Sequence, residues 1–373
     1  MIRRPLADLL PAAADLLGVP SYAHAGDWLA DPLHGARHVV VALIDGLGDR
    51  QLNGHAQLAE ALTSQFVDLG GLAAPFPSTT PVSLTCLGTG LPPGQHGIVS
   101  IRFRLDDGST LTPLGWTTDP NPIATQPEPT VFEQAQSAGV LVTSVGPAQF
   151  ESSGLTRAGL RGGRYVGVDT IPQRAAAVAA TVAEARRIGC PSMTYVYWPD
   201  LDKAGHVFGV DSSQWRTELA RVDALVARLA AALDGPDAAL LVTADHGMLD
   251  VADESRIDLE AEPRLRSGVT AIMGEPRERQ IYCEPGQAAA VAATWAQVLG
   301  DRAQVRRREE VAELLGPVDE WYVDRLGDVV AIANDAWSLY SERVDWLVSS
   351  LRGQHGGVTP DEVEIPLRLH RGS

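Results

Sequence analysis

The chain predicts an α/β fold with a largely parallel sheet flanked by helices. Three observations carry that expectation. Short β-branched runs alternate with amphipathic helical stretches along 373 residues. Fragments rich in Asp, His and Gly close three of those runs, where ligands gather in open α/β sheets. Apolar content of 45% with 21% charged residues belongs to an ordinary globular chain able to bury a large core.

The N-terminus begins Met-Ile-Arg-Arg, but Asp8 and Asp15 interrupt the apolar stretch that a secretion signal needs. Leu6, Leu9, Leu10, Ala13, Leu16 and Leu17 follow helical spacing instead, and Pro11 is expected to break or kink that helix. Strands are expected over 39–44, 140–145, 193–197 and 239–243. Helices are expected over 131–138, 174–188 and 213–233. The last carries a stripe of Trp215, Leu219, Val222, Leu225, Val226, Leu229 and Leu233 that belongs to the core. Thr80-Pro81 opens a further helix over 81–90, with Thr80 as the cap and Pro81 at its first position.

Beyond residue 276 the texture changes. A strand over 280–283, a helix over 287–299, a strand around Val305, a short helix over 310–315 and a strand over 329–333 predict a small inserted α/β subdomain at 277–333. Residues 1–276 and 334–373 then form the main body. Arg306-Arg307-Arg308-Glu309-Glu310 reads as a solvated face.

The balance of 47 acidic against 30 basic residues, net −17, argues against a protein that grips nucleic acid by its phosphates. It leaves room for a small phosphorylated substrate, because bound divalent cations reverse the local potential. No apolar run reaches the length of a membrane span. Cys86, Cys190 and Cys283 lack metal-type spacing and form no disulfide framework. They are expected to be reduced, which with the unconvincing leader places the chain in the cytoplasm.

Four fragments carry metal-type ligands: Asp45-Gly46, Asp202-Lys203-Ala204-Gly205-His206, Asp245-His246-Gly247 and Gln354-His355-Gly356. Taken singly, most have ordinary explanations. Asp-Gly after a strand is commonly a turn, Thr80 a helix cap and His355 a loop histidine. Asp202 and His206 are four residues apart and share a helical face, and Asp200 is an alternative to Asp202. Adjacent Asp245 and His246 at the end of a buried strand are the more specific pair. Together they supply three carboxylates and three imidazoles, too many for one tetrahedral zinc but suited to two ions. A hydroxyl at Thr80, beside a helix N-terminus, adds a nucleophile in positive potential. The set points to two-metal phosphoryl chemistry.

In this order the fragments resemble the alkaline phosphatase superfamily, and within it the nucleotide pyrophosphatase/phosphodiesterase branch. Phe76, Pro77, Thr80, Gly90, Pro93, His96 and Gly97 match its aromatic-Pro-x-x-Thr and following Gly, Pro and His-Gly. Asp202 to His206 matches Asp-x-x-Gly-His, which favours Asp202 over Asp200. Asp245 to Met248 and Gly353 to Gly356 match the remaining motifs. The resemblance implies an alkaline phosphatase-like fold and two divalent ions, zinc with manganese as the alternative. One ion would be held by Asp202, His206 and His355, the other by Asp45, Asp245, His246 and Thr80. It further implies that Thr80 is the nucleophile, Thr79 being the neighbouring hydroxyl, and that it forms a phospho-threonine on a phosphoester or nucleotide substrate.

One departure bears on the substrate. The branch carries an Asn a few residues after His-Gly to support a phosphate oxygen, and here that position is Ile101. Phosphate binding then falls to the ions, backbone N–H groups or another side chain such as Arg102. The Cys/Ser-x-Pro-x-Arg motif of sulfatases is absent. Alternatives on the same scaffold are a phosphomonoesterase, a phosphonate hydrolase, a two-manganese mutase or a metal-binding protein without turnover.

Overall fold

The computed structural model describes residues 3–372. At its centre lies a seven-stranded mixed sheet flanked by helices. Five strands run parallel, in the order Ala238–Thr243, His38–Ile44, Ser192–Trp198, Leu141–Gly146 and Arg164–Gly167. Arg368–Arg371 adds antiparallel to Ala238–Thr243, and Val67–Asp68 closes that edge. Every residue of His38–Ile44 is buried, as is every residue of Ala238–Thr243. Strands covered on both faces carry unbroken apolar runs, which is why their sequences stand out.

Ser213–Ala231 packs its apolar stripe inward, with Trp215, Leu219, Val222 and Leu225 buried. Ile171–Ile188 starts at a Thr170 capping box and ends at Gly189, whose φ of 79° suits a residue without a side chain. The N-terminal expectation needs one correction. Pro11 neither breaks nor ends its helix, which runs Leu9–Leu16, because it sits in the first turn. There a missing N–H does little harm.

A second, four-stranded antiparallel sheet follows the last parallel strand of the main sheet in sequence. Its order is Val269–Glu275, Glu278–Cys283, Val329–Ala333 and Ala303–Arg307. Ala288–Leu299 packs against it over a separate apolar core that includes Trp295, Ile281, Val329 and Ala331, while Arg308–Leu315 contributes Val311 and Leu315 to another. The expected strands and helices between 280 and 333 are all present. The boundary drawn at 277 falls inside a hairpin, since Val269–Glu275 pairs with Glu278–Cys283 across a two-residue turn. In the basic run, Arg307 and Glu309 form an exposed pair, but Arg308 does more. Its guanidinium bonds the Leu326 carbonyl and Asp328, fastening the approach to the next strand.

Candidate metal centre and nucleophile

Each ligand fragment sits where a regular element stops. Asp45 follows His38–Ile44 directly, and Gly46 turns the chain with φ 74°. A Cβ on Gly46 would lie 2.9 Å from the Asp202 Cα, so the glycine permits the close approach of the two carboxylate-bearing segments. Asp202 and His206 occupy the helix Asp200–Phe208, which begins just after Ser192–Trp198. Asp245 and His246 follow Ala238–Thr243. His355 follows the short strand Gly353–Gln354, paired with Leu249–Asp250. Four segments distant in sequence therefore meet beyond the carboxyl ends of the parallel strands.

The ligand atoms lie close together. The His246 Nε2 is 3.6 Å from Asp45 Oδ1 and 3.4 Å from Asp245 Oδ2. The His206 Nε2 is 3.3 Å from Asp202 Oδ2 and 3.2 Å from the His355 Nε2. His355 in turn lies 3.7 Å from Asp202 Oδ1. Two triplets have all their ligand atoms within 4.8 Å of one another: Asp45, Asp245 and His246, and Asp202, His246 and His355. The first is the expected group. The second has His246 in the place expected for His206, because the His246 and His355 rings stack 3.7 Å apart, with His206 adjoining. Asp202, not Asp200, joins the cluster.

Hydrogen bonding fixes how the three imidazoles present themselves. The Nδ1 atoms of His206, His246 and His355 face the carbonyls of Gly353 (2.7 Å), Gly247 (2.9 Å) and Ser78 (3.0 Å). A carbonyl only accepts, so each Nδ1 carries its proton and each Nε2 lone pair points into the cluster. The carboxylates behave in parallel. Asp45 Oδ1, Asp202 Oδ1 and Asp245 Oδ2 are buried without a hydrogen-bond partner. Unpartnered buried oxygens beside oriented imidazoles form a donor set that could hold divalent cations. Asp45 also accepts from the Tyr197 hydroxyl, and Asp245 Oδ1 from the Gly46 N–H at 3.1 Å.

The electrostatics agree. Burial, then the charges of Asp245 and Asp202, push the Asp45 carboxyl well above the usual carboxylate range. Burial likewise raises Asp245, against the opposing pull of His246. His355 is driven well below the ordinary histidine value by burial and by its neighbours His246 and His206. Crowded carboxylates resist ionising together until cationic charge joins them.

Thr80 reaches this cluster, its Oγ1 lying 3.2 Å from the His246 Nε2. Its helix runs Thr80–Thr89, and the expected capping shifts by one residue: Thr79 is the cap and Pro81 takes the second position. The Thr79 carbonyl accepts the first helical bond, from the Ser83 N–H at 2.9 Å. The Thr80 side chain is thus free of capping duty. Arg102, considered for phosphate binding, donates to the Val344 carbonyl at 3.0 Å.

A pocket opens beside Thr80, walled by Leu84, Phe150, Leu155, Leu160, Tyr165, Tyr195 and Tyr197, with Ser144, Ser153 and Thr156 as its other polar members. Among the described residues no charged side chain lines it.

Sequence reading missed several supporting groups. Ser78 accepts from His355 through its carbonyl, and its hydroxyl bridges Gly356 and Gly357. Glu362 takes the Gly357 N–H at 2.8 Å on its side chain, while its carbonyl takes the Gly247 N–H at 2.7 Å. Arg277 meets Glu362 through two bonds of 2.9 Å, both side chains fully buried. The available signal was the density of charge in Glu275-Pro276-Arg277-Glu278-Arg279, between apolar strands.

Residues 39–358 match the family model described as Type I phosphodiesterase / nucleotide pyrophosphatase. The chain belongs to that family of metal-dependent phosphoester hydrolases, within the alkaline phosphatase superfamily. Among solved structures it is similar to murine ectonucleotide pyrophosphatase/phosphodiesterase 5, with 19% identity and a TM-score of 0.70 over 89% of this chain and 87% of that one. An inactive threonine-to-alanine variant of the same murine protein in complex with AMP aligns with 18% identity, a TM-score of 0.69 and the same coverage. Phosphonoacetate hydrolase from Sinorhizobium meliloti, in complex with phosphonoformate, has 19% identity and a TM-score of 0.65 over 90% of each chain. A search of curated proteins finds no significant match. Among the described residues no helix is long and apolar enough to cross a membrane.

Proposed function

We propose that this protein is a two-zinc phosphodiesterase in which Thr80 is the nucleophile. The observation that carries the reading is the Thr80 hydroxyl set against a cluster of oriented imidazoles and unpartnered carboxylates. In the proposed division, Asp202, His206 and His355 would hold one ion, and Asp45, Asp245, His246 and Thr80 would hold the other. Two such ions would supply positive charge that lowers the proton affinity of a nearby hydroxyl and neutralises phosphoryl oxygens.

The chain's own groups supply the rest. Thr80 Oγ attacks phosphorus as its proton passes to solvent, while the bond to the ester oxygen opposite breaks and that oxygen leaves as the alkoxide or phenoxide, which takes up a proton from solvent. Water then displaces the phosphoryl group from Thr80, whose oxygen recovers a proton. In-line displacement places the leaving group away from the nucleophile. A pocket that Thr80 itself lines is therefore suited to the ester group that stays on phosphorus, and a monoester has no such group. Its aromatic walls and lack of charge favour an uncharged organic group, a nucleoside among them. Three free thiols, Cys86 buried and Cys190 and Cys283 half-buried, support a reducing, cytoplasmic setting.

The similarity to phosphonoacetate hydrolase motivates a second reading, a phosphonate hydrolase on the same scaffold. Rates on bis(4-nitrophenyl) phosphate, 4-nitrophenyl phosphate and phosphonoacetate separate the two. The expected order puts the diester first, with activity removed by chelation, restored by zinc and lost at least 1,000-fold (roughly 4 kcal/mol of barrier) in Thr80→Ala. Full diester turnover by Thr80→Ala would remove the proposed mechanism.

A further inference from the structure

A hairpin of the second sheet reaches into the site, and the geometry points to Glu275 on it as a positioning residue for the cation proposed at His355. This rests on the two-ion reading above. Glu275 ends the strand Val269–Glu275 and is 3% exposed. Its Oε2 lies 3.7 Å from the His355 Nδ1, and its Oε1 is buried with no hydrogen-bond partner. A buried carboxyl with one oxygen left unpartnered is costly to ionise, and a dication one imidazole away would offset that cost.

The His355 loop is shaped to admit that carboxyl. Gly356 has φ 114°, and a Cβ there would lie 2.6 Å from both Cδ and Oε1 of Glu275. The missing side chain lets Glu275 lie against the loop backbone. Two residues further along the hairpin, Arg277 holds the other side of the same loop through Glu362 and its bond to the Gly357 N–H. The hairpin thus brackets His355. Because the Ser78 carbonyl already receives the Nδ1 proton at 3.0 Å, Glu275 acts on the ring and the ion by its charge and its packing, without accepting that proton.

Groups of this kind, one step removed from a metal, typically govern affinity by 10–100-fold. The test loads wild-type protein, Glu275→Gln and Glu275→Ala with Co2+ and measures stoichiometry, affinity by chelator competition and the visible absorption of the bound cobalt. We expect two ions per wild-type chain. Glu275→Gln, which keeps the shape and removes the charge, should weaken one of them by about 10–100-fold, alter its absorption band and spare the other. Glu275→Ala should do the same or more. Wild-type affinity for both ions in Glu275→Gln would overturn the inference and leave the two-ion reading standing. Equal weakening of both ions would also overturn it, as the mark of a general structural role. Failure of the wild-type protein itself to bind any ion would instead remove the reading on which the inference depends.

Discussion

Glu278 has no exposed surface, and its carboxyl lies between the Ser100 hydroxyl at 3.0 Å and the Gln280 amide. Burial, only partly opposed by those two hydrogen bonds and Arg279, pushes it up to about 8. Its folded value lies above the unfolded one of 4.5, so its contribution to stability is complete below that value. The contribution is then lost as pH rises toward 8, at a slope of roughly 1.4 kcal/mol per pH unit. Glu278→Gln keeps the shape without the titrating proton. We expect urea unfolding between pH 5 and pH 8 to fall more steeply in wild type than in Glu278→Gln, leaving the variant the more stable at pH 8. Parallel profiles would mean that Glu278 ionises freely in the fold. At this scale the metal-type residues were legible because each motif joins a ligand to a glycine or a strand end. Glu275, Glu278 and Glu362 were not, because a dense run of charge marks a region without telling which of its carboxylates will be buried. The shift of the cap from Thr80 to Thr79 has the same origin: both hydroxyls suit a cap, and local sequence does not choose between them.

Among the elements, the hairpin formed by Val269–Glu275 and Glu278–Cys283 ties the second sheet to the loops of the site. Arg277 leaves it to reach Glu362, which serves the His246 and His355 loops together. Removing one partner of a fully buried pair leaves the other charge uncompensated, at a cost of about 3–5 kcal/mol. Arg277→Met should therefore lower the free energy of unfolding by that amount in a urea titration, and Arg277→Lys should recover part of it by restoring charge without the two-point fork. A loss below 1 kcal/mol would show that the pair contributes little. The elements recovered from sequence are those with the strongest apolar character, such as Ala238–Thr243. Those missed are edge or mixed strands: Arg164–Gly167 is partly exposed throughout, and Val269–Glu275 is half-exposed over its first four residues. Their patterns approach those of loops, and only pairing with a neighbour makes them strands.

For the whole molecule, the largely parallel character of the sheet could be anticipated from alternating strands and helices, and with it the side of the sheet where Asp45, Asp202 and Asp245 converge. Which ligands share an ion is implied by the family resemblance alone, and in the fold His246 belongs to both groups of neighbouring ligand atoms. The same convergence sets stability against chemistry. Asp45 and Asp245 are both raised above the ordinary carboxylate value, so in ion-free protein their contribution to stability is lost as pH rises beyond that range. Asp245→Asn removes one of the crowded charges. It keeps an oxygen for the Gly46 and His246 N–H groups and gives the unpartnered Oδ2 position a donor facing Asp45. In chelator at pH 7.5 the variant should be more stable than wild type by about 1–3 kcal/mol, the scale of satisfying a buried polar group. Adding Zn2+ should reverse the order. A ligand at 100 times its dissociation constant stabilises by about 2.7 kcal/mol, a gain that wild type receives at both ions and the variant at one. Thermal unfolding of both proteins with and without Zn2+ measures all four states. If wild type were the more stable in chelator, the crowded carboxylates would not be the source of strain that a cation relieves.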